Sequence, residues 1–344
     1  LEIVEEFGAD SLKFTLCFLA AQGQDVLVDK ESFKFGSKFA NKIWNASRYL
    51  LMNLEGKTII PFEDIELTDV DRWIFHCLNE AVKRVRDAVP QYRFNEAAQA
   101  VYEFFWNDFC DWYIESSKLS LYSDDQKEQD RAISLLVYVL EESLRLLHPF
   151  LSFITEEIYQ KLPVHGESII NAAYPSVVAE RENREIASMF GSVQELIRSV
   201  RTVRSEFTIP PEKKIRVTVK TDPGFSAAGF FASQRAVIES LAGIGELSFT
   251  EVKSEGSGSI AIPGNGFEAF LFVRDVIDVP KQLEKLKKES VNLEKLIAQT
   301  KGKLSNEQFL SHAPEEIVAK EKGKLAEFSE RKGKIATYIA ELSR

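Results

Sequence analysis

The sequence predicts a mainly α-helical chain: a helical bundle, then a small α/β connector, then an antiparallel two-helix coiled coil. Three observations carry that reading. Long stretches repeat their apolar residues at three- and four-residue intervals, as amphipathic helices do. A short middle region switches to two-residue alternation interrupted by Pro and Gly, which is strand and turn chemistry. From Val279 onward a 3,4 apolar spacing runs on both sides of Pro314, and a proline cannot sit inside a helix, so two helices fold back on each other.

Leu1 to Ala21 opens in mid-pattern, with Gly8-Ala9-Asp10 ahead of an apolar helix and no initiator methionine, which points to a larger protein cut here. Phe33 to Leu54 is the most distinctive helix. At about 100° per residue, Phe39, Ile43, Ala46, Leu50 and Leu54 share one apolar face, widened by Trp44 and Leu51, and that face is expected in a core. Lys38, Lys42, Asn45 and Tyr49 follow i, i+4, i+7, i+11 and form a separate stripe. The stretch holds Lys34, Lys38, Lys42 and Arg48 and no acidic residue, in a chain of net charge −10. Cations that neutralise phosphates, an amide that reads a base edge and a ring that stacks on an unpaired base suit single-stranded RNA. The alternative is a solvated basic face on an ordinary core helix.

After a turn-rich join through Pro61, Thr68-Asp69-Val70-Asp71 offers N-cap chemistry for a helix running to about Val89. Arg93 to Leu121 reads as one helix, with Ala97, Val101, Phe104, Phe105, Phe109, Trp112 and Tyr113 at helical spacing, an aromatic density that belongs in a core. Asp108 and Asp111 invite an acid–base or metal reading, but no third ligand lies near them, and they read as solvated carboxylates. Arg131 to His148, stopped by Pro149, and PFLSFITEEIYQKL complete the bundle. Pro163 to Pro175 reads as a boundary. Arg184 to Glu206 is a further helix, whose Arg198, Arg201 and Arg204 either line a phosphate backbone or form a solvated face paired with Glu195 and Glu206. Beyond Pro210-Pro211, IRVTVKT alternates as a strand, Phe225 to Leu241 reads as a helix, Leu247 to Val252 as a strand, and Ile260 to Val273 as a hairpin around Pro263-Gly264-Asn265-Gly266.

The final helices place Val279, Leu283, Leu286, Leu293, Ile297 and Leu304 against Val318, Leu325, Phe328, Ile335, Ile339 and Leu342, with Ser290 and Thr300 at two seam positions. Residues 281–344 hold fourteen basic and ten acidic side chains, a net +4 that leaves −14 on the remainder. An acidic body ending in a basic arm favours a long polyanion that touches the arm and is repelled elsewhere.

The 344 residues are enough for two or three units with cores of their own, and a hydrophobic content of 44% with 11% aromatics excludes global disorder. Cys17, Cys77 and Cys110 are odd in number and far apart, so neither a disulfide framework nor a thiolate metal site is expected, and a reduced cytoplasmic compartment is. His76, His148, His165 and His312 each stand alone and read as packing or surface residues. No apolar run approaches the ~18 residues of a membrane span and no charged leader precedes the first helix, so no membrane partner or secretion is expected.

FANKIWNASRYLLMNLEG resembles the anticodon-domain helix of the valyl-tRNA synthetases, a family of class I aminoacyl-tRNA synthetases. FNEAAQAVYEFFWNDFCDWY and HPFLSFITEEIYQKL resemble the helical anticodon-binding bundle that valyl, isoleucyl and leucyl enzymes share, and Leu1 to Ala21 resembles the segment after their KMSKS loop. KLSNEQFLSHAPEEIVAKE resembles the C-terminal coiled coil of the valyl enzymes, which the other two lack. The resemblance covers essentially the whole chain and implies three parts: an anticodon-binding bundle at 1–175, an α/β connector at 176–280 and a coiled-coil arm at 281–344. It implies that Lys42 and Tyr49 face the anticodon loop, with Lys38, Asn45 and Arg48 beside them, and that Lys287, Lys288, Lys295, Lys301 and Lys303 meet the tRNA body near its elbow.

KMSKS and His-x-Gly-His are absent from the sequence, so nothing here is expected to hold ATP or stabilise the charge of a forming adenylate. The resemblance assigns ATP and Mg, the joining of valine to its tRNA and the hydrolysis of mischarged threonine to the complete enzyme, and no cofactor to this chain. Its expected partners are valine tRNA and the upstream catalytic domain of the same polypeptide, with the chain a monomer. The alternatives are the equivalent part of an isoleucyl or leucyl enzyme, or a scaffold whose coil is a dimerisation zipper.

Overall fold

The computed structural model describes residues 1–21, 23, 28–250 and 259–343. They form two compact units, Leu1–Phe190 and Gly191–Arg344.

The first unit is helical. Its helices are α1 (Glu2–Phe7), α2 (Ala9–Leu19), α3 (Phe33–Met52), α4 (Asp69–Ala88), α5 (Phe94–Glu103), α6 (Ile114–Leu121), α7 (Gln126–Leu147) and α8 (Ser152–Tyr159), and the start of α9 (Arg184–Glu206) closes it. On α3 the buried set is Phe33, Gly36, Phe39, Ile43, Ser47 and Leu50. A Cβ on Gly36 would lie 2.5 Å from both the Ser11 carbonyl and Thr15 Oγ1, so α2 crosses α3 at a distance that only glycine permits. Around that crossing Phe14, Phe18, Phe35, Phe39 and Tyr102 pack ring against ring, with centroids 4.6–5.8 Å apart for the closer pairs such as Phe14–Phe39 at 4.7 Å. The small residues Gly36 and Ser47 take the core positions, and Trp44, expected to widen the apolar face, is turned outward and 38% exposed.

α4 begins as the sequence predicts. Thr68 and Asp71 form a reciprocal capping box, in which Thr68 accepts from Asp71 N and the Asp71 carboxylate accepts from Thr68 N. Asp71 also accepts from Tyr113 at 2.8 Å and from Arg131 at 2.7 Å, so one carboxylate ties α4 to the middle and last long helices of the bundle.

The stretch expected as one helix from Arg93 to Leu121 is divided. Between α5 and α6, residues Phe104–Tyr113 are π-helical. Phe105, Phe109 and Tyr113 stay buried through the wider turn, with successive ring centroids 5.3 and 6.3 Å apart. The end of the segment read as a boundary, Pro163 to Pro175, and the residues just after it lie against this unit: Arg86 donates to the Pro175 carbonyl at 2.7 Å, Val178 N to Asn79 at 2.8 Å, and Arg181 pairs with Glu142 at 2.9 Å.

The second unit holds a four-stranded sheet of order β2-β1-β4-β3, from β1 (Ile215–Thr221), β2 (Ile244–Thr250), β3 (Ile260–Gly264) and β4 (Phe267–Phe272). β1 and β2 are parallel and joined by α10 (Ala228–Ser233) and α11 (Arg235–Ala242), while β4 pairs antiparallel with both β1 and β3. The predicted hairpin is thus present. The single helix expected over Phe225–Leu241 is two, broken at Gln234, and the part of the expected strand at Glu251 and Val252 lies outside the described residues. α12 (Val279–Leu304), the short α13 (Glu307–His312) and α14 (Glu315–Ser343) complete the chain. Ion pairs Glu289–Arg331, Glu294–Lys332 and Glu321–Lys303 fix α12 and α14 as antiparallel neighbours. Leu286, Leu293 and Thr300 on α12 are buried, as are Ile335, Tyr338 and Leu342 on α14.

Candidate nucleic-acid interface

Burial of Phe39, Ile43 and Leu50 fixes the rotation of α3 and leaves its cationic side outward. Lys38, Asn45 and Arg48 are exposed there, and no ion pair among the described residues holds Lys38 or Arg48. Lys42 and Tyr49 stand at the edge of that face, half-buried and already engaged. Lys42 Nζ donates to Asp111 Oδ1 at 2.8 Å and lies 5.1 Å from the Trp106 ring centroid. Burial pulls the Lys42 ammonium down, but the Asp111 hydrogen bond and nearby negative charge outweigh it, so its pKa lies above the usual 10.5. The Tyr49 and Tyr122 hydroxyls share a hydrogen bond of 2.8 Å, and Lys118 Nζ sits 5.6 Å over the Tyr49 ring. Burial first, and then that bond, hold the Tyr49 phenol well above its ordinary value.

The five residues therefore divide into Lys38, Asn45 and Arg48, exposed on the face, and Lys42 and Tyr49, each already held by a protein partner. The helical spacing placed all five on α3 but gave no sign of what the rest of the bundle brings to them. Trp106 and Asp111 come from the π-helical stretch, and Tyr122, 60% exposed, from the end of α6. Asp111 stood out in the sequence as one of two carboxylates; in the fold it is the counter-ion of Lys42. Trp44 and Met52 add exposed apolar surface to the same helix.

The five arm lysines are all exposed on α12. Lys288 pairs with Glu284 at 2.6 Å and Lys303 with Glu321 at 3.7 Å, whereas no ion pair among the described residues holds Lys287, Lys295 or Lys301. At about 100° per residue they cover an arc of roughly 200°, centred opposite the Leu286–Leu293–Thr300 seam. That is a broad cationic face rather than a line.

The arginines of α9 do something else. Arg204 is buried and donates to the carbonyls of Pro210, Lys213 and Gly243 at 2.9–3.0 Å, and Arg201 donates to the Leu241 carbonyl at 2.7 Å. Both tie the end of α9 to the α/β unit instead of lining a phosphate backbone. Of the acids expected to pair with them, Glu206 is held by α14, and Glu195 meets the β3–β4 turn. Glu206 takes Arg331, Lys334 and Tyr338, and Glu195 accepts from Asn265 N at 3.2 Å. Arg198 is exposed.

The bundle presents an acid-free cationic helix and is followed in the chain by an α/β unit and a basic helix pair, a charge layout suited to a large polyanion. Residues 71–219 match the family model for the anticodon-binding domain of tRNA ligases, and residues 278–343 match that for the valyl tRNA synthetase tRNA binding arm. The valine–tRNA ligase of Treponema denticola is 46% identical over 98% of this chain, that of Treponema pallidum 43% over 100%, and that of Thermotoga maritima 39% over 99%. The chain belongs to the valine–tRNA ligase family, and the isoleucyl and leucyl alternatives fall away. It spans about 39% of the length of the curated relatives it matches.

Proposed function

We propose that this chain is the tRNA-holding part of a valine–tRNA ligase, reading the anticodon loop with α3 and gripping the tRNA body with the α12–α14 pair. The observation that carries the reading is the exposed cationic face of α3, free of acidic residues in a chain of net charge −10. Lys38 and Arg48 meet phosphates, Asn45 reads a base edge, and Lys42 and Tyr49 engage the loop after leaving Asp111 and Tyr122. Functionally the chain divides into a bundle at 1–175, a connector at 176–280 and a coiled-coil arm at 281–344, whose Lys287, Lys288, Lys295, Lys301 and Lys303 face the elbow. The partner is valine tRNA. The complete ligase uses ATP with Mg, works as a monomer in the cytoplasm and places the acceptor end at an upstream catalytic domain, which is a matter of geometry once the anticodon is fixed.

Titration of the purified chain with valine tRNA and with an anticodon-swapped version tests this. Tighter binding of the first is expected. Equal affinity would leave only a charge effect, and no binding of either would overturn the reading.

A further inference from the structure

At the root of α12 the second unit holds a cleft of about 660 Å³. Phe207, Val276 and Ile277 give it an apolar floor, and Lys213, Lys281, Lys285 and Lys288 stand on its rim. Two carboxylates also line it, and both are spoken for. Asp278 Oδ1 accepts from the Lys281 backbone N–H at 3.0 Å as the N-cap of α12, and Glu284 Oε1 accepts from Lys288 Nζ at 2.6 Å. Among the described residues, Lys285 and Lys213 rest only on neutral oxygens, Thr208 Oγ1 at 3.3 Å and the Val276 carbonyl at 3.1 Å. An anionic oxygen would displace these contacts, because it adds charge–charge attraction that a hydroxyl or carbonyl oxygen does not offer an ammonium.

Thr208 is a second, separate observation. Its φ of 54° places a β-branched residue in the left-handed region at the end of α9, where glycine would sit without strain. What threonine supplies and glycine cannot is a hydroxyl, and that hydroxyl meets the Lys285 ammonium on the cleft rim. Strain kept at one point of a cationic cleft points to a ligand there. Lys281, Lys285 and Lys288 follow i, i+4, i+7, so their row is about 10 Å long, longer than one phosphate and suited to consecutive phosphates of a polynucleotide.

Resting on the tRNA-holding function above, we infer that this cleft is a phosphate-binding site filled by the RNA backbone. Lys213, Lys281 and Lys285 neutralise successive phosphates, and the Thr208 hydroxyl donates to a phosphate oxygen. The grip on the tRNA body thus begins at the junction of α9 and α12 and does not depend on the anticodon.

The test measures tRNA affinity against salt for the full chain and its variants. The double variant Lys281→Ala/Lys285→Ala should bind valine tRNA and its anticodon-swapped version about ten-fold more weakly near ~0.1 M salt, with the slope of log K on log salt smaller by about 1–2. Lys285→Arg should keep the slope. Thr208→Gly should melt at the same temperature or higher and still bind more weakly, which a purely structural threonine would not do. tRNA should protect Lys285 from acetylation, and millimolar inorganic phosphate should not; equal protection by phosphate would overturn the RNA source. A chain that binds tRNA while ignoring the double substitution sinks this inference alone. A wild-type chain that binds no tRNA sinks the tRNA-holding function and this site with it.

Discussion

Tyr49 is held from two sides in the free chain, its hydroxyl by Tyr122 and its ring by Lys118, so its two possible contributions to binding can be separated. Tyr49→Ala should lose about 1–3 kcal/mol of affinity for valine tRNA if the ring stacks on a base. Tyr49→Phe removes only the hydroxyl and should keep most of that affinity. Equal losses on the anticodon-swapped tRNA would argue against base reading. Lys42 must leave Asp111 before it can serve a phosphate, so Lys42→Ala should weaken binding and Asp111→Asn should strengthen it, most visibly at low salt. Asp71 poses the opposite case, a buried carboxylate on which the bundle depends. Removing it strands Arg131, Tyr113 and the cap of α4, and Asp71→Ala should cost about 3–5 kcal/mol, read as a lower denaturant midpoint at unchanged m.

Among the elements, α14 is anchored to α9 through Glu206. Burial raises the Glu206 carboxyl, but hydrogen bonds from Tyr338, Lys334 and Arg331 outweigh it and hold it below the ordinary 4.5. A folded-state pKa depressed in this way contributes stability that is complete above about pH 4.5 and lost as pH falls through the lower, folded value. Melting of the wild type should therefore fall over that acid range more steeply than melting of Glu206→Gln, which should already be less stable at pH 7 by about 2 kcal/mol. Parallel pH curves for the two proteins would contradict this. The arm itself can be tested by substitutions that leave the Glu206 anchor intact and by a deletion that removes the anchor's partners with it. Replacing Lys287, Lys295 and Lys301 by Gln, or deleting the chain from Pro280, should weaken all tRNAs by a similar factor and flatten the salt dependence, while discrimination between anticodons survives. If deletion instead leaves affinity unchanged and converts a dimer into a monomer, the arm is an oligomerisation device.

At the scale of the whole chain, the missing KMSKS and His-x-Gly-His sequences lead to a direct expectation. The purified chain should show no valine-dependent pyrophosphate exchange, and exchange above background would mean that this chain carries out adenylate chemistry without either motif.

The sequence by itself determined the order and type of the elements: a capped α4, the strand β1, the β3–β4 hairpin and two helices hinged near Pro314. It did so because caps, periodicity and turns are local properties that a few neighbouring residues fix. It also marked α3 as the cationic helix, since the rotation of an amphipathic helix follows from its own apolar face. What it could not contain was the identity of residues that meet from distant positions. Asp111 reaching Lys42, Tyr122 reaching Tyr49, Arg204 buried among carbonyls and Thr208 facing Lys285 all depend on how the helices and the sheet pack. The π-helical stretch belongs with these: the same aromatic spacing fits two helical windings, so local sequence does not choose between them. Local sequence thus settled which faces exist, whereas tertiary packing settled which charges on those faces remain free for a ligand.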